Sequence, residues 1–304
     1  MKILPSNPRL IWWAPKKHQT QSQEVSHESR TSYKTFQGVP KDELKKNTIN
    51  SYRITLSKFS DVFGNRQLDA ISSEEILTFL TSITEGTKQA TKHSRYSHLR
   101  SFFNFIRETL NQNLQNPCDK PMLKKLFRPA RAMHWKIIEK ETIDEVIFRT
   151  TKARNRLLLE LMARGGMRVS EVLNLTPNDV DGRRLIIRDS KGGRGEEVVF
   201  IPSKLAARLR EYISGRRVEP GQRIFFITYA AARLVVKKAG ELVGIHLRPH
   251  DLRRHSATYA SRAGTPIEIV SKVILRHTNL STTQRYLGTV SDAEAMRWIE
   301  NLYN

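Results

Sequence analysis

The sequence predicts a multi-domain, mostly α protein: an all-helical N-terminal domain, then an α/β mixed domain, mostly helical, with a small antiparallel sheet. Three observations carry this. Apolar residues recur at three- and four-residue steps from about residue 41. The run NLQNPCDKPMLKKLFRPARAMH, residues 113–134, holds three prolines and five Lys or Arg, a composition that breaks helices and suits a linker along a charged partner. Two short β-branched runs, RLIIRD (184–189) and EEVVFI (196–201), flank the glycine-rich SKGGRG, as strands flank a hairpin loop.

Residues 1–40 are polar and irregular and are expected to form a flexible arm, with the aromatic pair Trp12 and Trp13 as its exception. A helical domain follows over 41–118, a linker over 119–134 and a second domain with a C-terminal tail over 135–304. In the first domain, Leu44, Ile49, Tyr52, Leu56, Phe59 and Phe63 mark one helix, which Gly64 closes. Ser72 with Glu75 three residues on is a capping box, and Ile76, Leu77, Phe79, Leu80 and Ile83 follow it. A third helix is expected from about 88 to 112, its apolar side carrying Tyr96, Leu99, Phe102, Phe103, Phe105 and Ile106. The start of that helix, TKQATKHSRYSHLR, is basic and contains no acid. The helix dipole together with Lys88, Lys92, Arg95 and Arg100 suits phosphate, although the same residues would also serve as a solvated basic face.

The second domain opens with a helix over Glu141 to Arg149 and another over Ala153 to Ala163, where Leu157, Leu158, Leu159, Leu161 and Met162 indicate a central, buried element. Gly165 and Gly166 end it, and MRVSEVLNL (167–175) forms a short helix. Arg168 lies in its first turn, and Glu171 is placed to brace that arginine. After the hairpin, Leu205, Ala206, Leu209 and Ile213 mark a helix, RIFFI (223–227) reads as a short strand, and a helix over about 230–239 leads into RPHDLRRHSATYASRAG (248–264) and LRHTNLSTTQRYLG (275–288).

Charge narrows the function classes. Net charge is +22, and the two parts contribute equally: residues 1–134 carry 22 Lys or Arg against 11 Asp or Glu, and residues 135–304 carry 30 against 19. Two equally basic parts suggest two surfaces facing one polyanion. Cys118 is the sole cysteine, so neither an intrachain disulfide nor a cysteine zinc site can form. No apolar run is long enough for a signal peptide core or a membrane span, so the expectation is a cytoplasmic, nucleoid-associated protein with no membrane partner.

Chemistry concentrates late in the chain. His250, Arg253, His277 and Tyr286 fall within 37 positions. Arginine binds phosphate oxygens bidentately, histidine passes protons near neutral pH and tyrosine can act as a covalent nucleophile. Nothing in this set requires a metal or cofactor, and no metal-binding box or nucleotide-binding glycine loop is present.

Taken in order, GGMRVSEVLNL, SKGGRG, HDLRRHSAT and LRHTNLSTTQRY resemble the boxes of the tyrosine recombinase (phage integrase) family, with nine residues from His277 to Tyr286. The resemblance is strong over about 135–295, and the helical region 41–118 is similar to the family's SAM-like core-binding domain. It implies the DNA breaking-rejoining fold and the catalytic set Arg168, Lys191, His250, Arg253, His277 and Tyr286. It further implies site-specific cleavage and rejoining of DNA through a 3′-phosphotyrosyl link, with no metal or ATP. Lys88, Lys92, Arg95, Arg100, Lys124, Lys125 and Arg194 are the candidate DNA contacts. The implied partners are double-stranded DNA with specific recombination sites, a homo-tetramer on that DNA, and accessory DNA-bending or directionality proteins. The tail residues Ala293, Met296, Trp298, Ile299 and Leu302 either reach a second protomer or pack on their own domain.

Two positions depart from the family pattern: Arg254 stands where His is frequent, and Arg276 stands where Gly commonly precedes the third-box histidine. The rival readings are a type IB topoisomerase-like enzyme, a non-catalytic DNA-binding regulator, and a metal-dependent transposase, which would need clustered carboxylates.

Overall fold

A computed structural model describes residues 46–129, 137–188, 195–287, 296 and 299–300. The chain divides into two compact units, one ending at Arg131 and one beginning at Ala132.

The N-terminal unit is helical throughout. Helices α1 (Lys46–Phe63), α2 (Ser73–Ile83) and α3 (Gln89–Thr109) are followed by a 3₁₀ turn at Pro117–Asp119 and by α4 (Pro121–Leu126). The apolar spacing places Leu56, Phe59 and Phe63 of α1 inside, against Ile76, Phe79 and Leu80 of α2 and Leu99, Phe102, Phe103 and Ile106 of α3. Phe59 sits at the centre, its ring 5.0–5.8 Å from those of Phe63, Phe79, Phe102 and Phe103. Three of these pairs are edge-on, the arrangement that ring quadrupoles favour. The capping box forms as expected: the Glu75 N–H donates to Ser72 Oγ (3.2 Å) and the Ser72 N–H to Glu75 Oε2 (2.9 Å). Residues 119–127, read from the sequence as linker, are instead built into this unit. Leu123 and Phe127 are buried in its core, Phe127 stacks on Tyr96 at 5.7 Å, and the Tyr96 hydroxyl donates to Cys118 O (2.9 Å). Two of the three prolines that suggested a linker, Pro117 and Pro121, occupy helix-start positions, where a missing N–H costs nothing.

The second unit is organised around α6 (Ala153–Arg164), whose residues Leu157 to Ala163 are all buried. Around it pack α5 (Lys140–Arg149), α7 (Val169–Asn174), α8 (Ser203–Gly215), α9 (Tyr229–Glu241) and α10 (Pro249–Arg262). A three-stranded antiparallel meander, β1 (Val180–Asp181), β2 (Arg184–Ile187) and β3 (Glu197–Phe200), turns Leu185, Ile187 and Val199 toward the core. β1, two residues long, carries no strand signal of its own in the sequence. The strand expected at 223–227 forms no ladder: the Ile224 N–H donates to Leu175 O (2.8 Å), Phe225 is buried, and Phe226 is 88% exposed. Beyond α10 the chain passes through a short helix, α11 (Ile267–Ile269), and a π-helical turn at Val270–Ile274, then enters α12 (Leu280–Leu287), which packs on α10.

Candidate active site

Two loop-and-helix junctions meet around one side chain. Arg253, on α10, is the largest fully buried side chain among the described residues, at 1% exposure. Its Nη1 donates to Gly166 O, two residues before Arg168, and its Nη2 donates to Leu275 O, two residues before His277. These two bonds fix the guanidinium plane and tie the first arginine box to the third. Gly166 permits the contact. Its φ is +61°, and a Cβ there would lie 2.8 Å from both Ile274 Cγ2 and Ile274 O.

Arg168 caps the N-terminus of α7. Its N–H donates to Glu171 Oε2 (2.8 Å) and its Nη1 pairs with Glu171 Oε1 (2.5 Å), so the brace expected from the sequence is present. The sequence did not reveal that Glu171 is shared. Its buried carboxylate, 4% exposed, also takes Arg276 Nη2 at 2.5 Å. Burial pushes the Glu171 carboxyl upward, but Arg276 and Arg168 more than reverse this and hold it below the usual carboxylate range.

His250 lies in the first turn of α10 and His277 just after the π turn. Surrounding protein desolvates each imidazole, and neighbouring cations add to the effect, bringing both down to about 4. For His250 the cations are Arg254, Arg253 and Arg168, with Asp251 opposing; for His277 they are Arg253, Arg168 and Arg276, with His250 contributing as well. Arg168, His250, Arg253 and His277 thus share one cationic locality. Both imidazoles are neutral at pH 7 while no anion is bound. His277 is oriented by a hydroxyl relay: its Nδ1 is 3.0 Å from Thr283 Oγ1, which donates to Ser271 Oγ (2.9 Å). Neither Thr283 nor Ser271 was singled out from the sequence. The only signal was that Thr283 falls six residues after His277 on the helix that also carries Tyr286.

At the two departures from the family pattern, Arg254 is buried and pairs with Asp251 (3.1 Å), which Arg248 also contacts (3.0 Å). Arg276 keeps a left-handed backbone, φ +50°, so the turn retains the conformation that glycine adopts most easily.

Tyr286 is placed by its backbone on α12, and nothing further is described of it. Lys191 and Arg194 lie outside the described residues. The candidate DNA contacts at 88–125 all belong to the N-terminal unit. Lys88 is the exposed residue preceding α3, whose first turn contains no acid, and Lys125 is exposed on α4. Arg95 donates to Thr55 Oγ1 (2.9 Å). Arg100 and Lys124 both pair with Asp119, at 2.8 and 3.3 Å, an arrangement invisible in the sequence. Lys92, on α3, is half-buried.

Residues 137–291 match the model of the phage integrase family, and residues 41–109 match the phage integrase N-terminal SAM-like domain. The chain is 30% identical to a tyrosine recombinase of Pseudothermotoga lettingae, over 68% of this chain and 76% of that one. It is 27% identical to tyrosine recombinase XerA of Saccharolobus solfataricus, over 81% and 83%. Among solved structures, its fold resembles that of the Tn1549 transposon integrase in complex with transposon right end DNA (TM-score 0.70, 15% identity, covering 91% of this chain and all of that one). It also resembles XerH recombinase bound to its difH substrate (TM-score 0.64, 22% identity, 84% and 79%). No described helix is long and apolar enough to cross a membrane. With both family models matched, in chain order, the chain belongs to the phage integrase family of tyrosine recombinases, which are DNA strand-transferring enzymes.

Proposed function

We propose that this protein is a site-specific recombinase that cleaves and rejoins double-stranded DNA through a 3′-phosphotyrosyl intermediate, using neither metal nor ATP. The observation that carries the reading is the bridge made by Arg253 between the segments of Arg168 and His277, in a locality where two imidazoles are held neutral.

In this reading the Tyr286 phenol oxygen attacks the scissile phosphorus in line. A new P–O bond forms to Tyr286, and the bond to the 5′ oxygen breaks. Neutral His250, free of a proton at pH 7, accepts the phenol proton, its basicity raised by the bound phosphate from the depressed value it has in the free protein. Lys191 donates a proton to the departing 5′ oxygen, so the substrate diester and the phosphotyrosyl diester each carry one negative charge. Arg168 and Arg253 face the non-bridging oxygens, whose charge grows in the transition state. The bound phosphate raises the His277 pKa, and the imidazolium so formed donates a hydrogen bond to it. Attack by a second 5′-hydroxyl reverses each step. The phosphotyrosyl bond conserves the free energy of the diester, so no nucleotide is consumed.

The N-terminal helical unit serves as the core-binding domain, with Lys88, Lys92, Arg95, Arg100, Lys124 and Lys125 on the phosphate backbone, and Arg194 contacts DNA from the hairpin loop. Partners are DNA with specific recombination sites, further copies of the chain as a tetramer, and accessory DNA-bending or directionality proteins, in the cytoplasm at the nucleoid. The test is incubation with a pool of nicked suicide substrates drawn from the native flanking DNA, with EDTA present. A denaturation-resistant adduct that Tyr286→Phe abolishes supports the reading. Relaxation of supercoils without synapsis of two sites would move it to the topoisomerase-like rival, and an adduct that persists in the variant would overturn the nucleophile.

A further inference from the structure

Arg276 occupies a position that penalises it. A non-glycine residue in the left-handed region is disfavoured by its Cβ, and burying a guanidinium is unfavourable unless it is paired. Yet the side chain is 4% exposed and turned inward. Its Nη1 donates to Ile274 O (2.9 Å), its Nη2 meets Glu171 Oε2 (2.5 Å), and its Nε lies 3.3 Å from Glu197 Oε2 at the start of β3. Glycine would satisfy the backbone and make none of these contacts.

The shared carboxylate gives the arrangement its consequence. Glu171 holds Arg168 from both its backbone N–H and its Nη1. An anion so placed is what orients Arg168, but it also cancels that arginine's charge as seen by an incoming phosphate. A second guanidinium on the other side of Glu171 restores the balance, because one carboxylate then faces two cations. Glu197, with a side chain 15% exposed, offsets part of the added charge and ties β3 to the same turn.

We propose that Arg276 is a positioning residue for strand cleavage: by neutralising Glu171 it leaves the charge of Arg168 available to the scissile phosphate. This rests on the phosphate-binding role given to Arg168 above. The effect should therefore depend on the charge of the phosphate, which a merely structural role would not.

The experiment measures single-turnover cleavage of two suicide substrates by the full chain: one with a normal phosphodiester and one with a methylphosphonate, uncharged at the scissile position. Arg276→Gly suits the backbone and removes only the side chain. We expect it to slow cleavage of the phosphodiester by about tenfold to a hundredfold, the range for losing a partner that orients a site residue. Relative to wild type, the methylphosphonate rate should change by less than about threefold, since the charge that Arg168 must meet is gone. Arg276→Lys keeps a cation near Glu171 and should recover part of the loss. R276G combined with Glu171→Gln, which removes the anion needing neutralisation, should also recover part of it.

Equal rates for R276G and wild type on the phosphodiester overturn the inference, and so does an equal loss on both substrates. If R276G does not fold, R276K is read on the same pair: a defect confined to the phosphodiester supports the proposal, and none, or one shared by both substrates, overturns it. Arg168→Ala separates the two layers. If R168A cleaves the phosphodiester as wild type does, the reading of Arg168 itself fails. If R168A is impaired and R276G is not, only the role of Arg276 fails.

Discussion

Replacing Arg253 by alanine should damage the fold as well as the chemistry, and the size of the damage follows from its contacts. The guanidinium is 1% exposed and donates to the carbonyls of Gly166 and Leu275, which belong to two separate junctions. A hydrogen bond from a charged group contributes about 1.5–3 kcal/mol, and a buried carbonyl left without its donor bears the desolvation cost, so two such bonds amount to about 3–6 kcal/mol. Against this stands relief of repulsion, since His250 and His277 both feel the Arg253 charge as unfavourable to their own protonation. Both imidazoles are neutral at pH 7, so the relief is small there, and the expected loss is about 3–5 kcal/mol. Arg253→Lys, a point donor that cannot reach both carbonyls, should lose about half as much. Urea unfolding of the full chain, followed by far-ultraviolet circular dichroism, measures both variants against wild type. A loss below about 1 kcal/mol for R253A would refute the claim that this side chain joins the boxes.

Other consequences follow from the same contacts. His250 and His277, held down to about 4, should titrate near that value by NMR in the free protein; midpoints near 6.5 would contradict the cationic locality. Because an unfolded histidine takes up its proton near 6.5 and these two do not, stability should fall as pH drops from about 6.5 to 4 and be insensitive to them above that window. A bound phosphodiester should raise both midpoints, so DNA binding near pH 6 should take up protons, which calorimetry in buffers of different ionisation enthalpy detects. Thr283→Val removes the hydroxyl that orients His277 through its Nδ1 and should lower cleavage by about tenfold to a hundredfold with little change in DNA affinity; an unchanged rate would remove Thr283 from the site. Lys88→Ala with Lys125→Ala should reduce the slope of log affinity against log salt by about two, one per exposed lysine, whereas Arg100→Ala should reduce it by less, because Asp119 already pairs with that arginine.

Much of this was legible in the sequence where the governing physics is local. The Ser72–Glu75 capping box, the buried leucines of α6 and the short helix after Arg168 each depend on residues a few positions apart, and each forms, with Arg168 as the N-cap of its helix rather than a member of the first turn. Signals that needed a distant partner were not legible. The strand read at 223–227 has the right residues, but Ile224 spends its N–H on Leu175 O rather than on a neighbouring strand. The prolines near 117–121 resembled a linker because the sequence does not show that Leu123 and Phe127 have a core to enter. In the site, residue types and order were readable, but the sharing of Glu171 by Arg168 and Arg276 joins positions 105 residues apart. The left-handed turn at Arg276 is signalled only by a departure from a glycine, and what its side chain does there depends on Glu171 and Glu197, which are remote in the chain.

The central claim is that Tyr286 carries the DNA. Trypsin cuts after Arg285 and Arg297, so the fragment YLGTVSDAEAMR, residues 286–297, begins with the proposed nucleophile. Adduct formed on a suicide substrate with EDTA present would be digested with nuclease and trypsin, and the nucleotide-bearing peptide sequenced by mass spectrometry. One modified peptide is expected, this fragment, with a 3′-linked nucleotide phosphate on Tyr286. A nucleotide on any other residue, or a 5′ linkage, would contradict it.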